Sequence, residues 1–211
     1  MFEEALKKLP PVRVLDLTGP AAKIDLSPTG PHAGTDLTDD YMSAVRKELG
    51  AAYLAGGYAE KREIYRRSML FGDERNVHVG IDLWAAAGAR VLAPLQGSMH
   101  SFDYNAGIGN YGPTIILEHK IDNFTFYALY GHLSAKDLEE LETGMTIAAG
   151  EAFAHLGTRA ENGDYAPHLH FQLIRELEGH AGDYPGVCRA LDLPKFLANC
   201  PDPKLLLKID L

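Results

Sequence analysis

The run HLHFQLI at residues 168–174 is strand-sized, follows Pro167 and is rich in apolar and aromatic side chains. In a strand, residues two apart share a face, so His168 and His170 converge on one side while Leu169 and Phe171 face a core. Two imidazoles side by side on a buried face need polar partners. A metal ion supplies one.

Working outward, similar short runs separated by Gly and Pro fill residues 75–175: VHVGIDL, RVLAP, SMHSFDY, TIILEHK, FTFYALYGHL and EAFAHLG. A single helical insert is expected among them, AKDLEELE, with Ser134 as its N-cap, Asp137 three residues on and Gly144 as its stop. Many short strands with one helical insert indicate an antiparallel β barrel or sandwich. Residues 1–70 mix loop and helical patterning. Asp36 or Thr38 is placed to cap a helix through 39–54, where Tyr41, Val45, Leu49 and Tyr53 recur at helical spacing. A second helix is expected over AEKREIYRRSML (59–70), after the Gly56-Gly57 break. The domain reading is therefore a loop and helical extension at 1–70, a β domain at 71–180 and a tail at 181–211. The extension and the tail are both expected to pack on the β core.

A second motif, HVGID at 78–82, places His78 and Asp82 an even number of residues apart, with Gly80 between them leaving room for close approach. Two neutral imidazoles and one carboxylate make a three-ligand zinc set of the catalytic kind, with water in the fourth position. A structural zinc site would be closed, usually by thiolates, and neither Cys188 nor Cys200 lies near these motifs. His132 ends the apolar run FTFYALY and is placed to hang over the mouth of the site. His100, His119, His155 and His180 read as structural or exposed. HAGTD at 32–36 repeats the H-x-G-x-D pattern, but it sits in a Pro/Gly loop beside a helix cap, so His32 reads as a decoy.

Composition narrows the partners. Hydrophobic residues make up 46% and charged residues 23%, the balance of a globular domain, and the formal charge is -9. With no Lys/Arg-rich run, neither nucleic acid nor an anionic membrane surface is expected as a partner. The opening MFEEALKKLPPVRVLDL has no apolar run of signal-peptide length, so the expected location is the cytoplasm. Two late cysteines beside an ample core read as reduced thiols. Oligomeric state is left open.

R-N-V-H-V-G-I-D-L at 75–83, A-L-Y-G-H-L-S at 128–134 and P-H-L-H-F-Q at 167–172 resemble the motifs of the lysostaphin/LytM-type zinc endopeptidases. A-P-L-Q-G at 93–97 and the Gly144, Gly150, Gly157 spacing extend the likeness over half the chain. The resemblance implies the family's mainly β, barrel-sandwich hybrid fold, with a helical N-terminal extension and a short helical tail lying outside it. It implies one zinc per chain held by His78, Asp82 and His170, with His168 and His132 as the catalytic pair. His168 is the better general base and His132 the better oxyanion donor, in roles that can be exchanged. The implied substrate is a peptide, of the peptidoglycan type in secreted members. Three features depart from the pattern: no export signal is visible, the loop TRAENGDYAP is acidic, and the tail GDYPGVC…CPDPKLLL is additional. The tail and the R-x-x-H-x-G-I-D-L-W variant look more like the peptidase-like domain of some cytoplasmic multidomain aminotransferases. A hydrolytically silent binding module on the same fold is the competing reading. A biotinyl or lipoyl carrier, which APLQG superficially suits, is set aside because no lysine stands at an exposed hairpin tip.

Overall fold

A computed structural model describes residues 1–72 and 74–209. In chain order the regular elements are α1 (Phe2–Lys8), β1 (Ala21–Ile24), α2 (Asp39–Glu48), β2 (Tyr53–Gly56), β3 (Glu60–Lys61), β4 (Arg75–His78), β5 (Ile81–Trp84), β6 (Arg90–Leu92), β7 (Gly97–Asn105), β8 (Gly112–Ile121), β9 (Phe124–Gly131), β10 (Thr146–Ile147), β11 (Ala152–His155), β12 (His168–Ile174), β13 (Val187–Arg189), α3 (Leu193–Asn199) and α4 (Lys204–Leu207). The protein is mainly β. Eight strands form one sheet in the order β1-β2-β5-β12-β9-β8-β7-β10; β11-β6 and β13-β4-β3 form two smaller sheets. Among the described residues no pairing joins β1 to β10, so the large sheet is open and is better called a sandwich than a barrel. All its pairs are antiparallel except β1 with β2.

The period-2 alternation read from the sequence decides which side chains fill which core. On β9, Phe126, Ala128 and Tyr130 enter the main core with Leu169, Phe171 and Leu173 of β12. The intervening Leu129 joins Ile116 and Ile174 on the opposite face, which is covered by Leu177 and by Tyr184 and Cys200 of the tail. Each such aliphatic burial is worth roughly 1.5–3 kcal/mol. Residues before 70 are built into the same core. Phe2 and Leu6 of α1 are buried in it, with the Phe2 ring 5.1 Å from Phe126, and β2 pairs along β5. Cys188 and Cys200 are free and buried. Among the described residues no helix is long and apolar enough to cross a membrane.

Of the two N-cap residues expected for α2, Thr38 is the one that caps it, its side chain accepting from the Tyr41 amide. Several other local expectations need correction. The helix stops at Gly50, whose φ of 60° breaks the helical path, so Tyr53 lies on a strand and not on the helix face. Residues 59–70 form β3 and two short 3-10 turns, because Arg62 and Tyr65 are drawn inward by long-range contacts that override helix propensity. Ser134 makes no cap hydrogen bond, and the insert is only a 3-10 turn at Ala135–Leu138. The short strands β1, β2, β3, β10 and β13 carry too few residues to show a periodicity.

Candidate metal centre

His78 and Asp82 do not share one strand. The chain breaks at Val79-Gly80, sending β4 to pair with β13 and β3 and β5 to pair with β12 and β2. His170 on β12 lies opposite Asp82 in the register. Gly80 is needed for this approach: a Cβ there would lie 2.6 Å from His170 Cε1 and 2.9 Å from the Phe171 carbonyl. The three side chains turn inward, with His78 Nε2 to His170 Nδ1 at 2.9 Å, His78 Nε2 to Asp82 Oδ1 at 3.2 Å and His170 Nδ1 to Asp82 Oδ1 at 3.1 Å.

The outer contacts fix which nitrogen carries the proton. His78 Nδ1 is 3.0 Å from the Gly57 carbonyl, which only accepts, so the proton sits on Nδ1 and Nε2 presents a lone pair. His170 is turned the other way. Its Nε2 donates to Gln172 Oε1 at 2.9 Å and lies 3.3 Å from the Tyr111 hydroxyl, which itself donates to the Tyr184 carbonyl, so Nδ1 is the bare atom. Two lone pairs and a carboxylate oxygen therefore face one another, and a bound cation satisfies all three at once. Tetrahedral zinc with bonds of about 2.0–2.2 Å holds its ligand atoms about 3.3 Å apart. The observed triangle is within a few tenths of an ångström of that, so the donor set fits a zinc-type ion.

Electrostatics agree with ligand-competent protonation states. Burial, with Arg62 adding to it, pushes the His78 imidazole down to about 4. Burial works to raise the Asp82 carboxyl, but His78 and Arg62 outweigh it and hold it well below the usual carboxylate range. Metal ligands of these types must be deprotonated, as these are at neutral pH.

His168 and His132 stand beside the triangle. The His168 Nδ1 donates to the Ala166 carbonyl at 2.8 Å and the His132 Nδ1 to the Asn162 carbonyl at 2.8 Å, so both leave Nε2 bare. His168 Nε2 is 3.9 Å from Asp82 Oδ1. Its ring stacks on Trp84 at 5.3 Å, and the edge of Tyr165 closes on both histidines. His132 has a left-handed backbone, φ 64°, locked by its amide donating to the Tyr111 carbonyl and its carbonyl accepting from Gly157. A strained backbone held from both sides is a common mark of a functional position. Burial pushes both imidazoles below their ordinary value.

All five sequence-selected residues thus meet at one place, lining a cleft with aromatic walls that include Tyr65, Phe71, Tyr111 and Tyr165. His32 does not join them; its Nδ1 bonds Tyr41. Nor do His100, His119, His155 and His180: His119 is buried against the Gln96 carbonyl and His155 pairs with Asp137. Sequence reading missed Arg62, Tyr111, Tyr165 and Gln172. Only Gln172 carried a signal, since it is two residues beyond His170 on the same strand face.

A family model for peptidase family M23 matches residues 76–183, while no curated protein sequence matches the chain. Among solved structures, the chain is similar to the catalytic domain of the prophage-encoded M23 protein EnpA from Enterococcus faecalis, with 21% identity over 64% of this chain and 92% of that one and a TM-score of 0.43. It is similar to the catalytic domain of the antimicrobial peptidase lysostaphin from Staphylococcus simulans, with 19% identity, 76% and 98% coverage and a TM-score of 0.45. It is also similar to a zinc-containing peptidase from Vibrio cholerae, with 24% identity, 46% and 27% coverage and a TM-score of 0.37. Of that protein and of some other matched structures, the chain spans less than half the length. The family match takes in just over half of the 211 residues, and with it every one of the five clustered side chains: the chain belongs to peptidase family M23.

Proposed function

We propose that this protein is a zinc-dependent peptidase that hydrolyses a peptide bond, of peptidoglycan type or in another small peptide. His78, Asp82 and His170 would hold one zinc per chain, and His132 and His168 would move the protons. The observation that carries the reading is the triangle of bare ligand atoms at 2.9–3.2 Å with two further bare imidazole nitrogens beside it. Zinc, when bound, lowers the pKa of a coordinated water toward neutrality and polarises a substrate carbonyl. His168, its tautomer fixed by Ala166, has its free Nε2 turned to the site and accepts the proton of the attacking water. His132 has the same tautomer, so it donates only when it carries a second proton. Burial and the closeness of the two rings allow the pair one extra proton at a time. The ring that holds it hydrogen-bonds the developing oxyanion or the leaving amine.

The test is elemental analysis of protein purified without chelator or nickel resin, followed by assay against glycine-rich peptides and peptidoglycan fragments. About one zinc per chain with turnover supports the reading; full zinc without turnover on either substrate class ends the hydrolase assignment. One observation favours the silent-module alternative: all five residues are at most 4% exposed. Zinc-loaded protein that binds such peptides and leaves them intact would establish it.

A further inference from the structure

We propose that Arg62 is a positioning residue for the metal-ligating carboxylate, so that residues 57–62, which precede the family-matched stretch, complete the metal site. The inference rests on the zinc reading above. Arg62 is 3% exposed, and its Nη1 donates to Asp82 Oδ2 at 2.5 Å. Its Nε donates to Glu60 Oε2 at 2.6 Å, and its backbone amide to the Asn76 carbonyl at 2.8 Å. The guanidinium is therefore clamped between the carboxylates of Glu60 on β3 and Asp82 on β5, while its backbone is tied to β4 at Asn76. A planar fork with donors in fixed directions can bridge both; an ammonium cannot do so with the same geometry.

The consequence for Asp82 is specific. With Oδ2 tied to Arg62, only Oδ1 faces His78 Nε2 and His170 Nδ1. The carboxylate is thereby committed to one-oxygen ligation. The positive guanidinium also offsets the carboxylate charge in a pocket where an unpaired ion would be costly. Gly57 acts alongside: its carbonyl fixes the His78 tautomer. Gly56 makes the space, because a Cβ there would lie 2.7 Å from the Trp84 ring and 3.1 Å from Arg62 Nη2. The Gly56-Gly57 pair, which reads in the sequence as a simple break between helices, is the clearance and the carbonyl that this support requires. Two of the three ligands are thus oriented by residues 57–62, and the third by Gln172 and Tyr111.

The experiment is chelator competition for zinc on the full chain, comparing the native protein with Arg62→Gln and Arg62→Lys, and with the thermal midpoint of each metal-free form as the folding control. Outer-shell partners of this kind typically change metal affinity 10–100-fold. Arg62→Gln is expected to weaken zinc by about that factor at a near-native metal-free midpoint, and Arg62→Lys to recover part of it. Zinc affinity of a folded Arg62→Gln protein within twofold of native would overturn the proposal. A second measurement needs no Arg62 variant: X-ray absorption at the zinc edge of the zinc-loaded native protein. A single carboxylate oxygen at about 2.0–2.2 Å, with its partner oxygen outside bonding distance, supports the proposal, and two carboxylate oxygens at bonding distance overturn it. A native chain that binds no zinc would instead remove the zinc reading on which the inference stands, an outcome separate from both.

Discussion

His132 and His168 lie ring over ring, with centroids 4.2 Å apart and planes inclined by 36°. His132 is oriented by the Asn162 carbonyl and His168 by the Ala166 carbonyl, and neither supplies an atom to the ligand triangle. In the proposed function, proton handling and metal holding therefore fall to different side chains, which mutation should separate.

Replacing His168 or His132 by Ala is expected to leave about one zinc per chain while lowering turnover by about 10²–10⁴-fold, the usual worth of a positioned acid or base. Because the pair shares its work, the double variant should lose little beyond the worse single one. Elemental analysis and kcat on the same preparations check this; a single variant that loses zinc would place that residue among the ligands.

His170→Ala removes one corner of the triangle and should leave zinc content near zero after dialysis. Gly80→Ala reaches the same end by a different route. Its added methyl would sit 2.6 Å from the His170 ring and 2.9 Å from a backbone carbonyl, neither of which can yield. Overpacking of this kind costs about 1–3 kcal/mol, so the urea midpoint should fall together with zinc affinity. A Gly80→Ala protein of native stability and full zinc content would show that the strand break has slack.

The metal-free protein should be acid-labile in a defined window. Burial lowers His78 to about 4 and also lowers His119, His132 and His168. The unfolded chain, with ordinary histidines near ~6.5, then binds more protons than the native state below that pH. Stability is expected to be flat above about 7 and to fall as pH drops from about 6.5 toward 4. Asp82, depressed in the folded state, adds a loss of the same sign only below about 4. Urea midpoints at pH 7.5, 6.0 and 5.0 test the slope; equal midpoints would contradict it.

Tyr130 offers a prediction with the opposite sign. Its side chain is fully buried and its hydroxyl has no hydrogen-bond partner among the described residues. Tyr130→Phe removes a desolvated polar group without changing ring packing against Phe153 and Phe171, so stability should rise by about 1 kcal/mol. A lower melting temperature would reveal a bridging water in the native core.

The motifs of the sequence singled out the five residues that meet at the centre, and its periodicity by itself determined the strands that carry long alternating runs and the two faces of β12. These are local facts: a period of two commits His168 and His170 to one side and Leu169 and Phe171 to the other, whatever lies across from them. It also made Gly80 legible as a point of close approach. Tertiary structure alone decided how His78 and Asp82 meet. The even spacing led to the right pair through the wrong geometry, since the chain changes sheet between them. It decided which nitrogen of each ring is bare, because that depends on carbonyls such as Gly57 and Asn162, tens of residues away from His78 and His132. It also turned residues 59–70 from an expected helix into a strand and short turns that bring Arg62 onto Asp82. Periodicity cannot report a contact whose energy comes from a partner 20 residues distant and becomes favourable only when both charges leave water together.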